Sequence, residues 1–166
     1  MKALAIALMM AAAALPAGSP AGFDLWKSGV LQAFEKSLSP KINAQKVATQ
    51  ALVSYGNHNV LMAHREGDGE AELHETQVDV MVVESGEATL VVGGTVVDPR
   101  TTAPHEIRGP SIRGGEQQAV AAGDIVHIPI NTPHQMLVAS GKQITYFVVK
   151  IDARSVSYTH LTLPTN

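Results

Sequence analysis

Four residues, two acidic and two imidazole-bearing, carry the main chemical potential of this chain. Glu72 and His74 stand two apart, and Asp79 follows five positions later. His134 lies far downstream, beyond the stretch Gly123-Asp124-Ile125-Val126-His127-Ile128-Pro129. Two imidazoles with one or two carboxylates suit a divalent transition metal such as Fe, Mn, Ni or Zn. If Glu72 and Asp79 lie about 4 Å apart at an effective dielectric of ~20, they repel by about 4 kcal/mol. Such a pair takes up a proton, moves apart or binds a cation. A metal shared with His74 and His134 is one solution. A shared proton, or hydrogen bonds to the two histidines, is the other.

Further residues carry weaker signals. His127 falls two residues before Pro129, on the strand face of Ile125. Turned inward, it is a candidate general base or donor beside a substrate; otherwise it is a histidine satisfied within the wall. His58 and His64 read as solvent or wall residues. Arg108 and Arg113 lie with His105 in a long connection. Either arginine can clamp a carboxylate substrate through its planar fork, or pin the loop by bonds to backbone. Other chemistry has little support. The chain lacks a G-x-S-x-G elbow and a phosphate-cradling G-x-x-x-x-G-K-[ST]. Zero cysteines remove disulfides, thiolate metal sites and cysteine nucleophiles. The net charge is −3 with no basic patch, so nucleic acid is not an expected partner.

The elements that must position these residues are mostly strands. Short β-patterned segments are expected at 47–55, 58–65, 70–74, 78–83, 88–92, 95–97, 117–120, 124–129, 135–138 and 143–150, punctuated by glycine turns. Glu84-Ser85-Gly86-Glu87 reads as a hairpin turn. Residues 98–115, with three prolines and three arginines, read as a long loop of the kind that serves as a lid or binding element. No helical pattern intervenes to make parallel crossovers, so a sandwich or barrel of eight to ten strands is expected. Before it, residues 23–38 carry Trp26, Val30 and Phe34 at helical spacing, with Asp24 as N-cap and Ser39-Pro40 as the stop. That helix packs on the outside of the barrel or forms a dimer contact.

The termini stand apart. Lys2 and the apolar run at 3–15 read as a secretory signal at 1–21, with Ser19-x-Ala21 as cleavage pattern, giving a secreted or periplasmic protein with no membrane span after cleavage; an uncleaved anchor or a buried helix is the alternative. Loss of Lys2 takes the net charge from −3 to −4. A helical segment at 22–44 and a barrel domain at 45–152 follow. The tail at 153–166 resembles a non-native read-through, and His160 within it is set aside.

The spacing of these residues resembles the paired motifs of the cupin superfamily. In the first motif Gly86 takes the final glycine, Asp79 the glutamate, His74 the second histidine, and Glu72 the place of the first. In the second, Gly123, Pro129 and His134 match, while Asn131 replaces the glycine and Val138 the terminal asparagine. The resemblance covers residues 47–151. It implies an all-β, cupin-like jelly-roll β-barrel, with His74, Asp79, His134 and Glu72 gathered around one metal ion. It also implies a small-molecule ligand or substrate, and it is compatible with a homodimer. Dioxygenases, isomerases and plain binding proteins all occur on this fold, so two readings stand. One is a metal-dependent protein acting on a small organic molecule; the other is a metal-free binding or structural barrel.

Overall fold

A computed structural model of the chain describes residues 19–153. The expected signal segment and the tail lie almost wholly outside them. Twelve strands follow one helix: β1 (Val47–Ser54), β2 (His58–Arg65), β3 (Ala71–His74), β4 (Gln77–Val92), β5 (Thr95–Val96), β6 (Arg100–Ala103), β7 (Glu106–Gly109), β8 (Ile112–Arg113), β9 (Glu116–Ala121), β10 (Ile125–Ile128), β11 (His134–Leu137) and β12 (Ile144–Asp152). Ten of them form one antiparallel sheet along the path β1-β2-β12-β4-β11-β3-β7-β6, with β9 and β10 also paired to β4; β5 and β8 make a separate pair. The sheet curls into a barrel-like jelly roll, as the strand pattern predicts.

The central strand departs from expectation. No hairpin forms at Glu84–Glu87; β4 runs unbroken for 16 residues. Its first half pairs with β12 and β10, its second with β11 and β9. A bulge lies between, where Thr145 and Tyr146 of β12 face Ser85 and Val83. One extra residue on a strand reverses which side chains face inward. Met81 and Val83 join the barrel core before the bulge; after it Leu90 does, with Ala88 and Val92 packed against that core, while Val91 is buried on the other face. Gly86 serves this bend. Its φ is +77°, and a Cβ there would lie 2.0 Å from the carbonyl oxygen of Gln143. The glycine read as a turn signal instead lets one strand pass from one wall of the barrel to the other.

The long connection is also more ordered than expected, since β6, β7 and β8 form within it. Antiparallel pairing of β7 with β3 extends the wall that carries Glu72 and His74. The barrel core includes Met81, Val83, Leu90, Met136, Tyr146 and Val148.

The helix α1 spans Ser28–Leu38, shorter than the expected 23–38. Asp24 does not cap it. The Tyr55 hydroxyl donates to Asp24 instead, and Lys27 takes the N-cap position without a side-chain bond. Leu31, Phe34 and Leu38 pack with Ala48 and Met62 on the outer face of the sheet, and the Trp26 and Phe147 rings meet at 5.9 Å. The apolar stripe is thus spent on the protein's own sheet. No helix among the described residues is long and apolar enough to cross a membrane.

Replacing Gly86 with Ala is expected to cost about 3 kcal/mol, from the left-handed φ plus overpacking against Gln143. At Gly141, where φ is +76° but a methyl group would meet nothing within 4 Å, Ala should cost about 1 kcal/mol. Urea denaturation checks the difference, and equal losses would contradict the close-approach argument.

Candidate metal and ligand site

Strand register assembles the site. Across one wall Arg108 of β7 pairs with Glu72 of β3, Glu72 pairs with His134 of β11, and His74 pairs with Glu106. On the other wall Lys150 of β12 pairs with Asp79 of β4. Residues two apart share a strand face, so Glu72 and His74 point the same way. The four predicted positions do converge. His74 Nε2 lies 3.6 Å from Glu72 Oε2 and 3.3 Å from Asp79 Oδ2, and His134 Nε2 lies 3.7 Å from Asp79 Oδ2. The two imidazole centroids are 5.2 Å apart.

Each histidine has its outer nitrogen fixed. His134 Nδ1–H donates to the Thr132 carbonyl at 3.1 Å, and His74 Nδ1–H donates to Glu106 Oε2. Such partners orient the rings and leave Nε2 directed inward. His134 Nε2 is buried without a hydrogen-bond partner. Burial pushes the His134 pKa down, which keeps that lone pair available. Glu72, His74 and His134 each offer one ligand atom within 4.8 Å of the others, so this trio can hold a metal ion.

Three residues that sequence reasoning did not place in the site complete it. Lys150 Nζ sits 2.8 and 3.0 Å from the two Asp79 oxygens and 2.8 Å from His74 Nε2. Glu72 Oε1 accepts from Arg108 at 3.0 Å and from Arg65 at 3.4 Å. Glu106 Oε1 lies 2.7 Å from Arg108. The carboxylates Glu72, Asp79 and Glu106 are therefore matched by Arg65, Arg108 and Lys150. Acidic residues gathered at this spot need a cation, and here the protein supplies its own. Period-two parity held a signal for Lys150, which shares a face with the buried Ile144, Tyr146 and Val148. Glu106 had none, because its stretch read as loop.

The other candidates fall elsewhere. Arg108 lines the central cavity, but Arg113 is exposed on the small β5–β8 pair. His127 is exposed on β10, whose outward face also carries Ile125 at 72% exposure, so it does not reach the cluster. His64 is a wall residue, buried against the Thr145 hydroxyl at 2.7 Å. The cavity itself has a volume of about 200 Å³. Leu61, Met81, Leu90 and Met136 form apolar wall, while Lys150 and Arg108 present charge.

Titration follows from these contacts. Burial alone would lower the His74 pKa, but bonding to Asp79 and Glu106 outweighs it and pushes the value up to about 9. The 2.8 Å contact leaves room for one proton between His74 Nε2 and Lys150 Nζ. Burial would raise Asp79; His74 and the Lys150 ammonium hold it below its ordinary value, and His74 with Arg108 does the same for Glu106. A raised histidine pKa gives stability that is full below the unfolded value of 6.5 and is lost as pH rises through about 9. Depressed carboxylates give stability that is lost on acidification through their folded values. Denaturation of metal-stripped protein should thus show stability declining on both sides of neutrality. His74→Gln is expected to flatten the alkaline limb; an unchanged limb would contradict the assignment.

No family model matches the chain, and no curated protein matches it. Solved structures do. TT1209 from Thermus thermophilus aligns at a TM-score of 0.50 and 18% identity, over 67% of this chain and 88% of that one. The polyketide cyclase RemF from Streptomyces resistomycificus aligns at 0.47 and 16%, over 64% of this chain. Rru_A2000 from Rhodospirillum rubrum, a cupin-2 domain, aligns at 0.48 and 17%, also over 64%. The chain spans 66% of the RemF chain and 60% of the Rru_A2000 chain. At such identities likeness speaks for architecture alone. The solved structures that align with it include cupin barrels, and the likeness is one of fold.

Proposed function

We propose that this barrel binds a small organic molecule beside one divalent transition metal held by His74, His134 and Glu72. The observation that carries this reading is His134 Nε2, a buried lone pair without a partner, with ligand atoms of His74 and Glu72 within 4.8 Å of it. Two histidines and one carboxylate leave open coordination positions, the arrangement suited to Fe(II), and Mn, Ni and Zn accept the same donors. A metal held by these residues would supply Lewis-acid chemistry for an isomerase-type reaction, or a binding place for substrate and oxygen in a dioxygenase-type one. The cavity of about 200 Å³ restricts that ligand to a few heavy atoms. Arg65, Arg108 and Lys150 at its lining are paired with carboxylates of the same lining, so the cavity offers polar contacts of both signs. Asp79 serves here as partner of Lys150 rather than as a direct ligand. The proposal includes export to the periplasm or medium, supported by the basic-then-apolar start of the sequence.

A second reading has its own observation. Lys150 Nζ already contacts His74 Nε2 at 2.8 Å, so the ammonium can stand permanently where a metal would. The barrel would then bind its ligand without metal.

Metal analysis separates the two. After reconstitution at neutral pH with saturating Mn(II), Co(II) or Zn(II), the first reading predicts about one ion per chain, lost in His134→Ala with the fold intact by circular dichroism. Absence of metal in the wild-type chain at saturation would overturn the first and leave the second.

A further inference from the structure

We infer that Lys150 is the cation resident in the site, and that a divalent ion binds His74, His134 and Glu72 only by displacing the Lys150 ammonium. The inference rests on the metal-binding reading and adds a determinant of affinity that the ligand set alone does not contain. Among the three ligand atoms, two stand open. His134 Nε2 has no partner, and Glu72 keeps Oε2 toward His74 because both arginine bonds fall on Oε1. The third, His74 Nε2, is capped by Lys150 Nζ at 2.8 Å. One proton lies between Lys150 Nζ and His74 Nε2, so the pair carries a single positive charge and the His74 lone pair is not free, while the two Asp79 oxygens take the other Lys150 hydrogens.

Lys150 is not a chance surface contact. Register sets it opposite Asp79, which is 1% exposed, and its side chain is 18% exposed. The long flexible stem also lines the central cavity, so the ammonium has somewhere to go. Charge points the same way. Three carboxylates already face three protein cations, so a metal entering beside an undisplaced ammonium adds two positive charges to a balanced cluster. With Lys150 moved away, the metal takes over compensation of Asp79 and gains the His74 lone pair. Metal occupancy and the Lys150–Asp79 ion pair are therefore alternatives.

Cobalt(II) titration of the metal-stripped full chain, followed by visible absorption, tests this on wild type, Lys150→Met and the Asp79→Asn/Lys150→Met pair. The double variant removes both charges together, so it keeps the test valid if the single variant leaves Asp79 stranded and unfolds. We expect Lys150→Met to bind Co(II) on the order of 100-fold more tightly than wild type, as removal of an adjacent like charge implies, and the double variant, which loses the Asp79 charge too, to bind more tightly than wild type by a smaller factor. His134→Ala added to either should abolish the absorption. Wild-type affinity equal to that of the variants would overturn the role of Lys150 while leaving the metal reading intact. No binding by any of the three would overturn both.

Discussion

Asp79 is buried to 1% exposure and ionised, and that single condition organises the centre of this barrel. An isolated carboxylate in such a place is strongly unfavourable, and removing one member of a buried pair typically costs about 3–5 kcal/mol. The chain answers with Lys150 directly across the β4–β12 ladder, two contacts of 2.8 and 3.0 Å, and His74 from the facing wall. Because the lysine reaches His74 as well, the same contacts tie two walls of the barrel together. Arg65 and Arg108 do for Glu72 what Lys150 does for Asp79. The result is a compact polar centre enclosed by Met81, Leu90, Tyr146 and Val148.

This centre has two kinds of histidine within it. Each ring is anchored through Nδ1, one to a backbone carbonyl and one to a carboxylate. Anchoring of that sort orients a ligand before anything is bound. What differs is the inward nitrogen: His134 Nε2 is open, and His74 Nε2 is engaged by an ammonium. Chemistry at the site therefore depends on whether that ammonium stays.

Much of this was legible in the sequence, for definite reasons. Period-two alternation and glycine spacing disclosed a barrel, and the spacing of Glu72, His74, Asp79 and His134 disclosed residues that do meet. What was hidden depended on pairing between distant segments. Gly86 carries the composition of a turn, but its role as a bend in one continuous strand appears only once Gln143 packs against it. The stretch holding Glu106 and Arg108 is rich in turn-forming residues, and it becomes strand because β3 offers an edge. His127 has the right residue type on a strand of the right kind, and it failed on which face looks inward, a matter of register that local pattern does not determine. Lys150 was overlooked because a lysine ending an apolar strand reads as a solvent-facing terminus.

The account depends above all on His134 presenting an unprotonated Nε2 toward the cluster. Two-bond proton–nitrogen correlation spectra of the metal-stripped protein near neutral pH observe this directly. His134 should be neutral, protonated at Nδ1 with a free Nε2, and that Nε2 resonance should shift when Zn(II) is added. A His134 ring protonated at Nε2, or one whose nitrogens do not respond to the metal, would contradict it.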